Sequence, residues 1–222
     1  LASSIFLLPL YYFFRRFRKN PTPVLEHIKI KETILEYLRS KNLYSIFICQ
    51  SFLQLFYAYM VIYMPIYLSK YIGFSWTEIG LMFTIMLLPF VLFELPVGEL
   101  EDYKYGEKEF MTIGFTIMGL STLFMSFVTL NVFWVWTAML FISRVGASFV
   151  EISTESYFFK NVNQSKTNII GFFRVSRPLS FIITPIIATV ASQFIPMQYI
   201  FIFIGSLMVL GTRYSLSLAD TK

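Results

Sequence analysis

Arg144, Ser148, Glu151 and Glu155 lie at offsets of 0, 4, 7 and 11 within "RVGASFVEISTE". On a helix that spacing places all four on one stripe. The flanking residues are apolar, and Arg144 sits about 15 to 20 Å from the C-terminal end of its span at about 1.5 Å per residue. A guanidinium that deep cannot reach water along its own stem, so it must face a cavity or a carboxylate. Two readings are open for the stripe. It is a polar wall of a solute or proton pathway, or an internal ion pair that holds helices together. Glu94, in "LLPFVLFELPVG", is a second candidate. A carboxyl among apolar groups is suited to pick up and release a proton, or it reaches water or a nearby Arg. Gln50 and Gln54, four apart, share a face and either meet solute or hydrogen-bond between helices. Arg174 and Arg177, three apart, form either a positive gate or an ordinary membrane anchor.

Chemistry of other kinds lacks its parts. The chain has one His (His27) and one Cys (Cys49), which leaves no histidine or cysteine cluster for a metal. No serine-hydrolase elbow, zinc-protease helix or phosphate-binding loop is present. An enzyme is not expected, and no cofactor or nucleic-acid partner is called for.

The elements that must position these residues are membrane helices. Of 222 residues 56% are hydrophobic and only 14% charged, against about 25% charged in soluble domains. Six segments reach the roughly 17 to 25 apolar residues that a crossing needs: 44–69, 76–97, 110–129, 132–156, 168–191 and 198–217. Residues 1–14 read as the end of a preceding transmembrane helix, and 219–222 as a tail. Between the stub and the first full span, residues 15–43 form a polar linker. Past Pro21 and Pro23, Ile28, Ile34, Leu35 and Leu38 recur at near-helical spacing, which predicts an amphipathic helix on the membrane surface or a link between two halves.

Sidedness follows from Lys and Arg. Eight of the 18 basic residues fall between Arg15 and Lys41. Lys104 and Lys108, then Lys160, Lys166, Arg174 and Arg177, then Arg213 and Lys222, alternate onto that same side, which is expected to be cytoplasmic. The opposite loops carry only Lys70. Trp76, Trp134 and Trp136 are expected at the outer interface. The net charge of +5 reflects orientation and gives no evidence of cargo.

One loop is unlike the rest. "GELEDYKYGEKEF", 98–110, has seven charges in thirteen residues between apolar spans. Its pattern, Gly98-x-Leu100-x-Asp102-x-x-Gly106-x-Lys108, resembles the signature loop of major facilitator superfamily transporters, between the second and third helices of a six-helix half. "SRVGAS" is similar to that family's Arg-x-x-Gly pattern in the fourth helix. "FFRVSRPLSFIITPIIATV" looks like its proline-containing fifth helix. The loop departs from the family in having Tyr103 after Asp102 and extra acids at Glu107 and Glu109. The drug-antiporter glycine pattern is absent from the fifth helix.

The resemblance covers essentially the whole chain. It implies an all-α membrane protein, the C-terminal half of a twelve-helix bundle, that moves a small solute by alternating access; proton coupling is an expectation drawn from the residues Glu94, Glu151 and Glu155 themselves. It further implies a cytoplasmic gate of Gly98, Asp102, Gly106, Lys108, Glu155, Arg174 and Arg177. Asp102 would latch onto a missing N-terminal half, and Gly98 and Gly106 would permit a tight turn. Glu99, Glu101, Glu107 and Glu109 are expected on the surface. The expected setting is a cell membrane, a bacterial inner membrane, with a cytoplasmic C-terminus. The alternatives are a scaffold membrane protein without transport, and a six-span half-size transporter or channel working as a homodimer.

Overall fold

The computed structural model describes residues 30–103, 105–162 and 166–219, the Asp102 side chain excepted. The expected stub at 1–14, the linker residues before 30 with His27, the Asp102 latch and the last three residues lie outside the described residues.

The linker helix α1 spans Ile30–Arg39 and buries Thr33 and Tyr37. The Tyr37 ring packs 4.9 Å from Phe172 and 5.4 Å from Phe47, centroid to centroid. Its hydroxyl donates to the Ile169 carbonyl at 2.9 Å. Burial, with Glu36 adding to it, pushes this phenol well above the ordinary tyrosine range, so the group stays a donor. Ile30, Ile34, Leu35 and Leu38 remain exposed. Ser40 ends α1 and caps α2 (Lys41–Tyr67) by accepting from Leu43 N–H. Past Pro65 the helix widens into a π turn, Leu68–Ile72, and stops at Gly73. Gly73 has φ 90°, a left-handed C-cap that favours glycine.

Ser75 and Glu78 then form a reciprocal capping box that starts α3, Trp76–Ile85. The second span, expected as one helix, is broken. Met86 and Leu87 make a turn, with Leu87 N–H bonding the Thr84 carbonyl, and α4 restarts at Leu88–Tyr103. Pro89 explains the position. It has no N–H for the Ile85 carbonyl, and its fixed φ suits the first turn of a new helix. The remaining helices are α5 (Glu107–Met125), α6 (Phe133–Asn161), α7 (Thr167–Ser192) and α8 (Met197–Leu216).

A helix therefore stands at each of the six expected spans. Five stretches are long and apolar enough to cross a membrane: Lys41–Ile72, Trp76–Glu101, Phe133–Asn161, Thr167–Ser192 and Met197–Leu216. The exception is α5, whose 19 residues open on Glu107, Lys108 and Glu109. Those three charges lower its mean hydropathy. It packs between α6 and α8 more closely than any other helix packs on its neighbours.

That closeness comes from glycine. A Cβ added to Gly146 would lie 2.6 Å from the Gly114 carbonyl oxygen and 2.6 Å from Met118 N. One added to Gly205 would lie 2.8 Å from Leu123 N and 2.9 Å from the Gly119 oxygen. Small residues at such crossings let backbones touch, and in a bilayer this packing replaces the hydrophobic drive between helices. Opposite this trio, α2 packs on α6, α7 and α8, and α3 and α4 lie along α6.

Two sequence expectations about the charged loop change here. Gly98 lies inside α4 with open space where a Cβ would be, and Gly106 caps α5 in an extended conformation, φ −89° and ψ 166°. Neither position requires glycine for a tight turn. Glu101 and Glu107 are each only 1% exposed, against the surface placement expected. Glu101 accepts from Ser153 Oγ, and Glu107 pairs with Lys160 and lies 3.5 Å from Ser156 Oγ. The loop is thus two helix ends docked on α6. Trp136 also differs from expectation. It is fully buried, and its indole N–H donates to the Leu130 carbonyl at 2.9 Å, whereas Trp76 and Trp134 are exposed.

Candidate functional site

Four polar residues singled out by spacing meet in one cavity of about 470 Å³. Gln54 and Tyr57 reach it from α2, Arg144 and Glu151 from α6, and Arg177 and Phe181 from α7. The broken second span closes it: Phe83 and Thr84 come from α3, Met86 and Leu87 from the turn, and Phe90 from α4. Val61, Leu87 and Arg177 on its rim are exposed, so the cavity opens at the surface of the bundle.

Arg144 is the deepest charge. It is 3% exposed and stands about 16 Å along α6 from Phe133 and about 25 Å from Asn161 at about 1.5 Å per residue. Its guanidinium carbon lies 5.3 Å from the Phe56 ring centroid and 5.2 Å from that of Tyr57. Both distances are within cation–π range. Among the described residues no carboxylate oxygen stands within 4.0 Å of it, and its Nε has no hydrogen-bond partner. The internal ion pair that the Arg144–Glu151 spacing left open is not formed.

Glu151 has a different partner. Tyr57 donates its hydroxyl to Glu151 Oε2 at 2.9 Å. One tyrosine therefore supports the guanidinium with its ring face and the carboxylate with its hydroxyl. Gln54 is 4% exposed and its Oε1 has no partner among the described residues. Gln50, one turn back, is also buried with an unpartnered Oε1, but it does not line the cavity.

The other candidates separate. Glu155 and Arg174 form a two-pronged ion pair between α6 and α7, at 2.7 and 2.9 Å. Glu94 stands on an exposed face of α4 and does not line the cavity. Lys108, in the first turn of α5, is half-exposed and, like Gly98 and Gly106, does not join the cavity. The polar residues of α6 in fact form two stripes. Arg144, Glu151 and Glu155 face α2 and α7, while Ser153, Ser156 and Lys160 receive the acids of the α4–α5 turn.

Tyr57, Phe83, Phe90 and Phe181 were not singled out by sequence reasoning. Gln54, Tyr57 and Val61 are spaced at 0, 3 and 7, a helical stripe through the polar Gln54. That stripe was the available signal.

The helical bundle, its five crossing-length segments and this charged cavity define a multi-pass α-helical membrane protein with an internal polar site. The chain belongs to the Major Facilitator Superfamily, whose family model matches residues 3–218. No curated protein matches it. Membership makes it a major-facilitator-type transporter.

Proposed function

We propose that the chain is the C-terminal half of a twelve-helix secondary transporter that carries a small solute across a cell membrane by alternating access. The observation that carries this reading is the cavity at Arg144. A buried charge is expensive in a bilayer and is kept where it meets solute, ion or partner. The exposed rim of Val61, Leu87 and Arg177 is the face that would meet an N-terminal half, with the solute held between the two near the midplane. The basic residues gather at the end where α4 meets α5 and α6 meets α7, which supports a cytoplasmic C-terminus.

Reconstituted into vesicles, the full-length protein should give saturable uptake that Arg144→Gln reduces by about 100-fold or more, the effect of removing one charged contact of about 3 kcal/mol. Unsaturable flux would favour a channel, and absence of uptake of any solute would favour a scaffold.

Proton coupling is assigned to Glu151 in this reading. Glu155 is held by Arg174, and Glu94 is off the cavity wall. Glu151 faces the solute space and is hydrogen-bonded to a neutral phenol. Arg144 and Arg177 are the cations of the same wall. Glu151→Gln should abolish uptake driven by a pH gradient while leaving solute exchange across equal pH. Undiminished pH-driven uptake by that variant removes Glu151 from the coupling.

A further inference from the structure

We infer that the solute bound in this cavity is an organic monocarboxylate with an apolar body. The inference deepens the transport reading and rests on it for the site's purpose. Among the twelve described lining residues, the charged ones are Arg144, Arg177 and Glu151. Two cations against one anion leave the wall with one net positive charge. The anion is also the one already engaged, through the Tyr57 hydroxyl. Arg144 is buried to 3% exposure beside two adjacent ring faces, with no carboxylate in reach among the described residues. Aromatic faces steady a cation but accept no conventional hydrogen bond. The guanidinium therefore keeps N–H donors to offer, including the unpartnered Nε.

A planar fork of N–H groups is matched best by a planar carboxylate taken two-pronged. One such group neutralises the wall, whereas a dianion would overshoot and meet Glu151. The rest of the lining sets the body. Phe83, Met86, Leu87, Phe90 and Phe181 are apolar, and Gln54 adds one buried polar atom without a partner. A volume of about 470 Å³ is in the range of pockets for small organic molecules. A cation is disfavoured twice, by Arg144 and by Arg177. A neutral polyol leaves the net positive charge of this wall unanswered.

The test uses the purified full-length protein in detergent and three compounds with one skeleton: phenylacetate, 2-phenylethanol and 2-phenylethylamine. Protection against thermal unfolding is followed over a concentration series. Phenylacetate should protect saturably and the other two should not. Arg144→Gln and Arg144→Lys should both weaken phenylacetate by about ten- to hundred-fold, the lysine failing because it lacks the fork. Arg177 is exposed, so Arg177→Gln keeps the fold and should weaken binding several-fold, by about one screened charge. Equal protection by the amine or the alcohol, stronger protection by phenyl phosphate, or no protection by any of the compounds overturns the inference. Vesicle uptake separates this from the transport reading. Phenylacetate binding without uptake of any solute overturns transport alone. Uptake of amines without phenylacetate binding overturns the monocarboxylate alone.

Discussion

Gly146→Val is expected to lower the apparent melting temperature in detergent by roughly 6 to 12 °C, the equivalent of about 3 kcal/mol in a protein this size. The cost is steric. A Cβ at 146 would sit 2.6 Å from two backbone atoms of α5, the Gly114 oxygen and Met118 N. Backbone cannot swing aside as a side chain can, so α5 and α6 must part. Separation at this crossing also strains the second one, where Gly119 and Gly205 bring α5 onto α8. A control distinguishes this from a general dislike of larger residues in helices. Gly171 lies inside α7 with no atom within 4 Å of an added Cβ. Gly171→Ala should leave the melting temperature unchanged or raise it, since Gly in a helix interior costs about 0.5–1 kcal/mol relative to Ala. If Gly146→Val melts with Gly171→Ala, the close crossing does not set the packing of α5.

The same contacts show which parts of the fold can be read in one dimension. Helix positions can, because a bilayer demands a minimum apolar length and each run announces itself. The glycine crossings cannot. Scanning for glycines four apart within one helix finds none, since the pairs that touch, Gly114 with Gly146 and Gly119 with Gly205, lie on different helices. The break at Met86–Leu87 is intermediate. Pro89 marks a weak point, but only the neighbouring walls decide whether a helix kinks or restarts there.

The site divides in a similar way. Arg144 and Glu151 stood out because buried charges are conspicuous in apolar sequence, and both line the cavity. Their partners did not stand out. Spacing along α6 pairs Arg144 with Glu151, yet Tyr57 of α2 stands against both, ring to guanidinium and hydroxyl to carboxylate. A tyrosine among 14 carries no mark of such a role in the sequence. Arg174 and Glu155 lie nineteen residues apart on successive helices, and their pairing depends on how α6 turns into α7. Glu94 is the opposite case. Its sequence left burial and access to water both open, and its apolar flanks belong to an exposed face.

The acids of the α4–α5 turn give the second large effect. Lys160→Met should cost about 1 to 3 kcal/mol, less than the loss of a fully buried pair because Lys160 is itself 44% exposed. It takes the Lys160 ammonium away from the Glu107 carboxylate, which is 1% exposed. Glu107→Gln should cost less, since it removes the buried charge while keeping an acceptor for Lys160 and Ser156. The double variant should therefore be more stable than Lys160→Met alone, a coupling that thermal melts of the four proteins would measure. If the two single effects simply add, Glu107 and Lys160 are not energetically paired. Paired, they and the Glu101–Ser153 contact fasten the ends of α4 and α5 to α6. In the alternating-access cycle proposed above, that fastening makes α4, α5 and α6 one rigid body. The cavity wall of Phe90, Arg144 and Glu151 then moves with the turn, and Lys160→Met should slow solute exchange as well as soften the fold. Exchange rates measured below the melting range separate the two, because a purely structural contact would leave the rate at low temperature unchanged.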